Sequence, residues 1–215
     1  MSTSKSATAL NIPAAVKLTP ELQAYFDKCQ EKLGFVPNVL RAYAFDPVKL
    51  QAFIDMVDDL MLADSGISKL EREMIAVVVS AVNHCHYCLT AHGAAVRQRA
   101  KDPVMGELMV QNYRAANLPP KQKAMMDFAV KLTEHPAKME EADREGLRKV
   151  GFSDRDIWDI AATAAFYNMS NRLAAATEMR PNAEYHAMAR DKNPRKNCIP
   201  ASGKPPKPVF AIRTA

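Results

Sequence analysis

Residues 73–92 read EMIAVVVSAVNHCHYCLTAH, and the two halves of this stretch pull the rest of the chain into place. The first half is an apolar run, Met74 to Val79, with one carboxylate, Glu73, at its head. The second half contains Cys85-His86-Tyr87-Cys88 and the histidines His84, His86 and His92. A turn after Asn83 with a new helix starting near Cys85 places Cys85 and Cys88 three residues apart on one helix. Side chains at that spacing have Cβ atoms about 5–6 Å apart, and a disulfide needs Cα atoms roughly 4.4–6.8 Å apart. His92 follows Cys88 by one turn on the same face. Its imidazole is then within reach of a thiol, directly or through one water. The helix dipole at an N-terminal cysteine favours the thiolate, which is the nucleophile. Glu73 sits on the preceding, buried helix, where a carboxylate needs a partner. A histidine on the next helix is the natural one. Glu–His–Cys would then carry protons to and from sulfur.

Two plainer readings stand beside this one. A CxxC pair can hold zinc if His92 and either His84 or His86 complete four ligands, although the chain has no second CxxC. The cysteines can also be ordinary core residues, since free Cys is often buried.

The set Glu73, Cys85, Cys88 and His92 resembles the motif of the AhpD-like alkylhydroperoxidases in the carboxymuconolactone decarboxylase superfamily. The flanking VNHCHYCLTAHGAAVR and the later RPNAEYHAMAR at 180–190 are most similar to the branch of peroxidase-related proteins, and the resemblance covers most of residues 20–190. It implies an all-α fold of packed helical hairpins. It also implies a peroxidatic Cys88, a resolving Cys85 and a proton relay of Glu73 and His92. No metal, haem or flavin is implied. The implied partners are a hydroperoxide substrate and an external dithiol or protein reductant. A homo-oligomer is implied too, with dimer, trimer and hexamer all open. One position departs: relatives carry a histidine just before the second cysteine, and this chain has Tyr87. That departure keeps a second reading in play, a thiol–disulfide oxidoreductase passing electrons to a protein partner. A decarboxylase like the superfamily's lactone enzymes has no use for two thiols.

Composition agrees with a helical body. The chain of 215 residues has only seven glycines and is rich in Ala, Met, Leu, Lys and Glu, which favour helix. Four cysteines, only two of them close together, do not make a secreted disulfide framework. The N-terminus lacks an apolar segment of signal-peptide length, and no apolar run reaches bilayer length. These points set the expectation of a cytoplasmic protein without membrane contact.

The net charge of +5 is concentrated at the end: residues 190–215 carry seven basic side chains and one acidic, so residues 1–189 are close to neutral. Five prolines in the same stretch suggest an extended arm. Without interleaved aromatics or a binding motif, the arm reads as solvated or subunit-clasping, and nucleic acid is not expected as a partner. Cys198 within it reads as an unpaired thiol.

Residues 1–18 read as a flexible segment and 19–189 as the folded domain. Thr19-Pro20 caps a helix whose apolar spacing includes Cys29, and Gly34 ends it. Helices are predicted to open near Pro37 and at Asp46-Pro47. Ser68 with Glu71 forms a capping box for the Glu73 helix. Further helices are predicted over 104–116, 121–134 and 139–150. His135 and His186 read as structural or surface residues. An internal repeat is visible: GISKLEREMIAVVVSAVN at 66–83 aligns without gaps to GFSDRDIWDIAATAAFYN at 151–168. Unit one spans about 46–100 and keeps the chemistry. Unit two, about 120–178, has Trp158, Ser170 and Leu173 at the positions of Glu73, Cys85 and Cys88.

Overall fold

The computed structural model describes residues 7–13 and 17–190. Among these the chain is all-helical. The helices are α1 (Pro20–Leu33), α2 (Asn38–Tyr43), α3 (Pro47–Leu62), α4 (Lys69–Val82), α5 (His86–Ala100), α6 (Pro103–Asn112), α7 (Pro120–Glu134), α8 (Glu141–Lys149) and α9 (Asp154–Ala176). The Cys198 thiol and the basic arm from residue 191 onward lie outside the described residues.

The caps foreseen in the sequence set the helix starts. Thr19 Oγ1 accepts from the Leu22 amide, and Asp46 Oδ1 accepts from Val48 and Lys49. Ser68 and Glu71 close a reciprocal box at the head of α4; Ser153 and Asp156, which the sequence reading did not place as a cap, do the same for α9. Gly34 stops α1 with a φ of 82°, a left-handed conformation in which a side chain is strained.

Helix α4 is the axis of the molecule. Every residue from Arg72 to Ser80 is buried, and α3, α5, α6, α7 and α9 all pack on it. Such all-round burial is why Val77, Val78 and Val79 can occupy a helix despite their strand propensity. Each buried aliphatic side chain gains about 1.5–3 kcal/mol from leaving water, which outweighs the few tenths lost to β-branching. Ile75, Met125, Met126 and Ile160 complete the same core. Helices α5 and α6 approach closely at Gly106, where a Cβ would clash with Arg97 Cγ.

The structure differs from the sequence reading at several boundaries. The helix expected over 104–116 ends at Asn112, whose side chain accepts from the Arg114 amide at 3.2 Å and starts a separate 3-10 turn, Tyr113–Ala115. The helix expected from Met139 starts at Glu141, because Pro136–Lys138 forms another 3-10 turn. Part of the segment expected to be flexible is held down. The Ala9 amide donates to Thr177 O at 2.9 Å, and the Arg180 amide donates to Ala7 O at 3.0 Å, with Thr8 buried between them. Helices α4 and α9 pack on each other. Asn83 Nδ2 donates to Asn168 Oδ1 at 3.0 Å.

Candidate functional site

The turn between α4 and α5 builds the site. Helix α4 ends at Val82, Asn83 caps it, and His84 takes a left-handed φ of 51°. Cys85 is then the N-cap of α5, and Cys88 sits in its first turn. Asn83 Nδ2 also donates to Asn171 Oδ1 at 3.0 Å, which anchors the turn to α9.

Glu73 and His92 meet as their spacing suggested. Glu73 Oε2 lies 2.7 Å from His92 Nδ1. The carboxylate has a second cationic neighbour that the sequence reading missed: Arg99 Nε is 3.5 Å from Glu73 Oε1. Arg99 lies seven residues after His92 on α5, two turns along the same face, so helical periodicity alone could have flagged it. The ring of Tyr167 packs edge-on to His92 with centroids 4.7 Å apart. Two basic groups thus face the buried Glu73 carboxylate, the partners a carboxyl in the core needs.

Both thiols are buried, and their environments push them apart. The Cys85 thiol is pushed down to about 6, first by the Cys88 thiol, which donates to its sulfur. Burial opposes the shift, while the Cys88 and Tyr87 amides and the charge of His92 assist it. These are dipolar contacts at the helix head rather than a regular side-chain cap. Cys88 moves the other way. Its proton is held against Cys85, and burial disfavours its thiolate, which raises it strongly. Asn171 and Ser80 beside Cys88 partly counter that. Those two are themselves linked, Asn171 Nδ2 donating to Ser80 Oγ at 3.0 Å. The two shifts have opposite signs, so Cys85 ionises ahead of Cys88. His92 acts on the pair through its charge.

Tyr87, where the sequence departs from the motif it resembles, has its hydroxyl committed elsewhere. Its buried hydroxyl accepts a hydrogen bond from the Val39 amide at 2.9 Å and ties the head of α5 to α2. Burial pushes its phenol well above the usual range.

Two cavities meet at this dithiol. An inner one of about 300 Å³ is walled by Cys88, Glu73, His92 and Arg99, with apolar and aromatic side chains such as Phe53 and Phe166. Cys29 of α1 opens onto it as well, its thiol raised by burial and by Asp58. An outer cavity of about 480 Å³ is walled by Cys85, His84, His86 and His186. His186, which the sequence gave no partner, thus joins the site's periphery, while His135 is exposed at the end of α7. Among the described residues no cluster of three or more His, Cys, Asp or Glu side chains is arranged to hold a metal ion. No described helix is long and apolar enough to cross a membrane.

Comparison with known proteins places this architecture. A family model described as carboxymuconolactone decarboxylase matches residues 47–113, the stretch that contains Glu73, Cys85, Cys88 and His92. A solved peroxidase-related protein from Silicibacter sp. TM1040, itself uncharacterized, is 60% identical and superposes with a TM-score of 0.84 over 88% of this chain and 100% of that one. The chain belongs to the carboxymuconolactone decarboxylase family, in its AhpD-like branch. A second AhpD-like structure, described as an alkylhydroperoxidase AhpD core and an uncharacterized peroxidase-related protein from Ralstonia eutropha JMP134, is 43% identical. It covers 86% of this chain and 97% of its own, with a TM-score of 0.82. The debrominase Bmp8, solved with 2,3,4-tribromopyrrole, shares the AhpD-like fold at 18% identity and a TM-score of 0.70, over 84% of this chain and 97% of its own. At that identity the likeness concerns the fold alone. The curated proteins give no match.

Proposed function

We propose that this protein is a thiol-dependent hydroperoxide reductase in which Cys88 attacks the peroxide and Cys85 resolves it. One observation carries the reading: Cys88 shares a cavity wall with a Glu73–His92 pair hydrogen-bonded at 2.7 Å. The nucleophile and a proton donor for the leaving group then face the same space. The peroxidase-related relatives and the family point the same way. The apolar walls of the inner cavity favour an organic hydroperoxide over hydrogen peroxide.

The resting charge distribution sets the order of steps. The Cys85 thiolate takes the proton of Cys88 as the Cys88 sulfur attacks one peroxide oxygen. The O–O bond breaks, and the departing alkoxide takes a proton from the His92 imidazolium, which Glu73 holds in place. Cys88 is now a sulfenic acid. Cys85 gives up the proton it received, its sulfur attacks Cys88, and the S–O bond breaks. Hydroxide leaves with that proton as water, and a disulfide remains. One hydroperoxide and two thiols have become an alcohol, water and a disulfide, and an external dithiol restores the pair.

A second reading rests on a different observation. A helix-head thiol held down at about 6, opening on a cavity of its own, suits a thiol–disulfide oxidoreductase. Stopped-flow oxidation of the reduced protein by cumene hydroperoxide separates the two. The peroxidase requires fast single-turnover consumption in the wild type, abolished in Cys88→Ser; in Cys85→Ser, which lacks the base, Cys88 should be oxidised more slowly and stop at a trapped sulfenic acid. A sulfenic acid on Cys85 in Cys88→Ser would reverse the two roles. Peroxide consumption no faster than by a free thiol, with rapid exchange of small disulfides, would hand the site to the oxidoreductase reading.

A further inference from the structure

The two sulfurs of the CxxC face different chambers. Cys88 lines the inner cavity and Cys85 does not; Cys85 lines the outer cavity and Cys88 does not. Tyr87 lines both, and its ring, pinned through its hydroxyl to Val39, stands between them. The dithiol is therefore set in a partition, with a chamber on each side.

The outer chamber has its own chemistry. Its volume of about 480 Å³ falls in the range of small-molecule pockets. Ala174, Met179 and Pro181 give it an apolar floor. Three histidines, His84, His86 and His186, line it together with Cys85. The Arg180 and Glu178 side chains on the same wall pair with each other at 3.3 Å, which leaves the imidazoles as the groups free to handle a proton. His84 is presented there by a backbone in the left-handed region, a conformation uncommon for a residue with a side chain.

We infer that the outer chamber is the binding site of a small dithiol reductant, which attacks the Cys85 sulfur of the oxidised pair from the side opposite to the peroxide. This rests on the cycling of Cys85 and Cys88 proposed above. Thiol–disulfide exchange proceeds by in-line displacement at sulfur. An attacker in the outer chamber reaches Cys85 with Cys88 as leaving group, whereas one in the inner chamber reaches Cys88. The first thiol of the reductant gives its proton to an imidazole of the outer chamber, and its sulfur bonds to Cys85. The protein S–S bond breaks, and Cys88 leaves with the electron pair and takes up a proton. The second thiol then attacks the reductant's own sulfur in the mixed disulfide and releases Cys85 as its thiolate. The reductant has lost two electrons and become a disulfide, the protein pair has gained them, and one net proton goes to solvent.

The test uses the full chain with the pair oxidised by diamide, so that it does not depend on peroxide chemistry. Dithiothreitol is the probe, and thiol recovery is followed by rapid quench. Ala175→Phe places a ring in the outer chamber from an exposed position of α9. Leu62→Trp narrows the inner chamber from an exposed position of α3. The ratio of the dithiothreitol rate to the hydroperoxide rate is expected to fall at least tenfold in Ala175→Phe and to rise in Leu62→Trp. In Cys88→Ser, bis(2-hydroxyethyl) disulfide, whose released thiol cannot close a ring, should leave its mercaptoethanol adduct on Cys85 faster than it does on Cys88 in Cys85→Ser. Slowing of reduction by Leu62→Trp with no effect of Ala175→Phe would overturn the assignment. If hydroperoxide does not oxidise the protein at all, the peroxidase reading falls, and the dithiothreitol rates on diamide-oxidised protein still decide which chamber the reductant uses.

Discussion

Replacing Cys88 by alanine should move the ionisation of a residue it is not part of. The Cys85 thiol is held near 6 chiefly by the proton that Cys88 directs at its sulfur. At pH 7 about nine-tenths of Cys85 is then thiolate, against about three per cent for a free thiol of pKa 8.5. In Cys88→Ala the amides of α5 and the charge of His92 remain, and so does the opposing burial, so the midpoint should climb by at least one pH unit. Alkylation by iodoacetamide, followed by mass spectrometry of the Cys85 peptide from pH 4 to 10, gives the midpoint directly. The rate at a single pH is a poor substitute, because a more basic thiolate is also a better nucleophile and recovers much of what its lower population loses. In the wild type the rate should reach half its plateau near pH 6. A wild-type midpoint near 8.5 would refute the placement of the proton between the sulfurs. A midpoint that stays near 6 in Cys88→Ala would show that the helix head alone holds the charge.

Other outcomes follow from the same geometry. Glu73→Gln keeps the shape but leaves His92 without its anionic partner, so the single-turnover rate with cumene hydroperoxide should fall about 100-fold or more, with a changed pH profile; a rate within a factor of three of wild type would remove the relay from the mechanism. Tyr87→Phe strands the Val39 amide and should cost about 1–3 kcal/mol in urea unfolding while peroxide turnover survives; abolished turnover at full stability would make Tyr87 a proton carrier after all. Ile160→Ala opens a cavity between α9 and α4 and should destabilise by about 2–5 kcal/mol in the same assay.

The sequence made the fold legible wherever local chemistry decides structure. The Ser68–Glu71 box, Pro at the first turns of α1 and α3, and Gly34 all act within a few residues, and each sits where expected. The Glu73–His92 contact was legible for a similar reason, since one turn joins two helices of known pitch. What stayed hidden depends on distant segments. Asn171 reaches Cys88 only because α9 packs on α4, and no spacing within one helix announces that. Tyr87 looked like a missing catalytic histidine because its partner, the Val39 amide, lies 48 residues away. The division into two chambers needs α1, α3 and residues 166–170 of α9 on one side and residues 174–183 with His186 on the other, all placed by the core.

The backbone bonds from Ala7 and Ala9 to the residues just past α9 join points about 170 positions apart, the kind of contact that raises contact order and forms late in folding. They work as a seal: most helical neighbours here are close in sequence and can pair early, whereas this closure waits until the first and last described segments are both in place. Met179, on the floor of the outer chamber, lies between the two bonded residues Thr177 and Arg180. Amide exchange at Ala9 and Arg180 would therefore report the completion of the native state, and a truncation removing Ala9 would loosen that floor while leaving the α4 core intact.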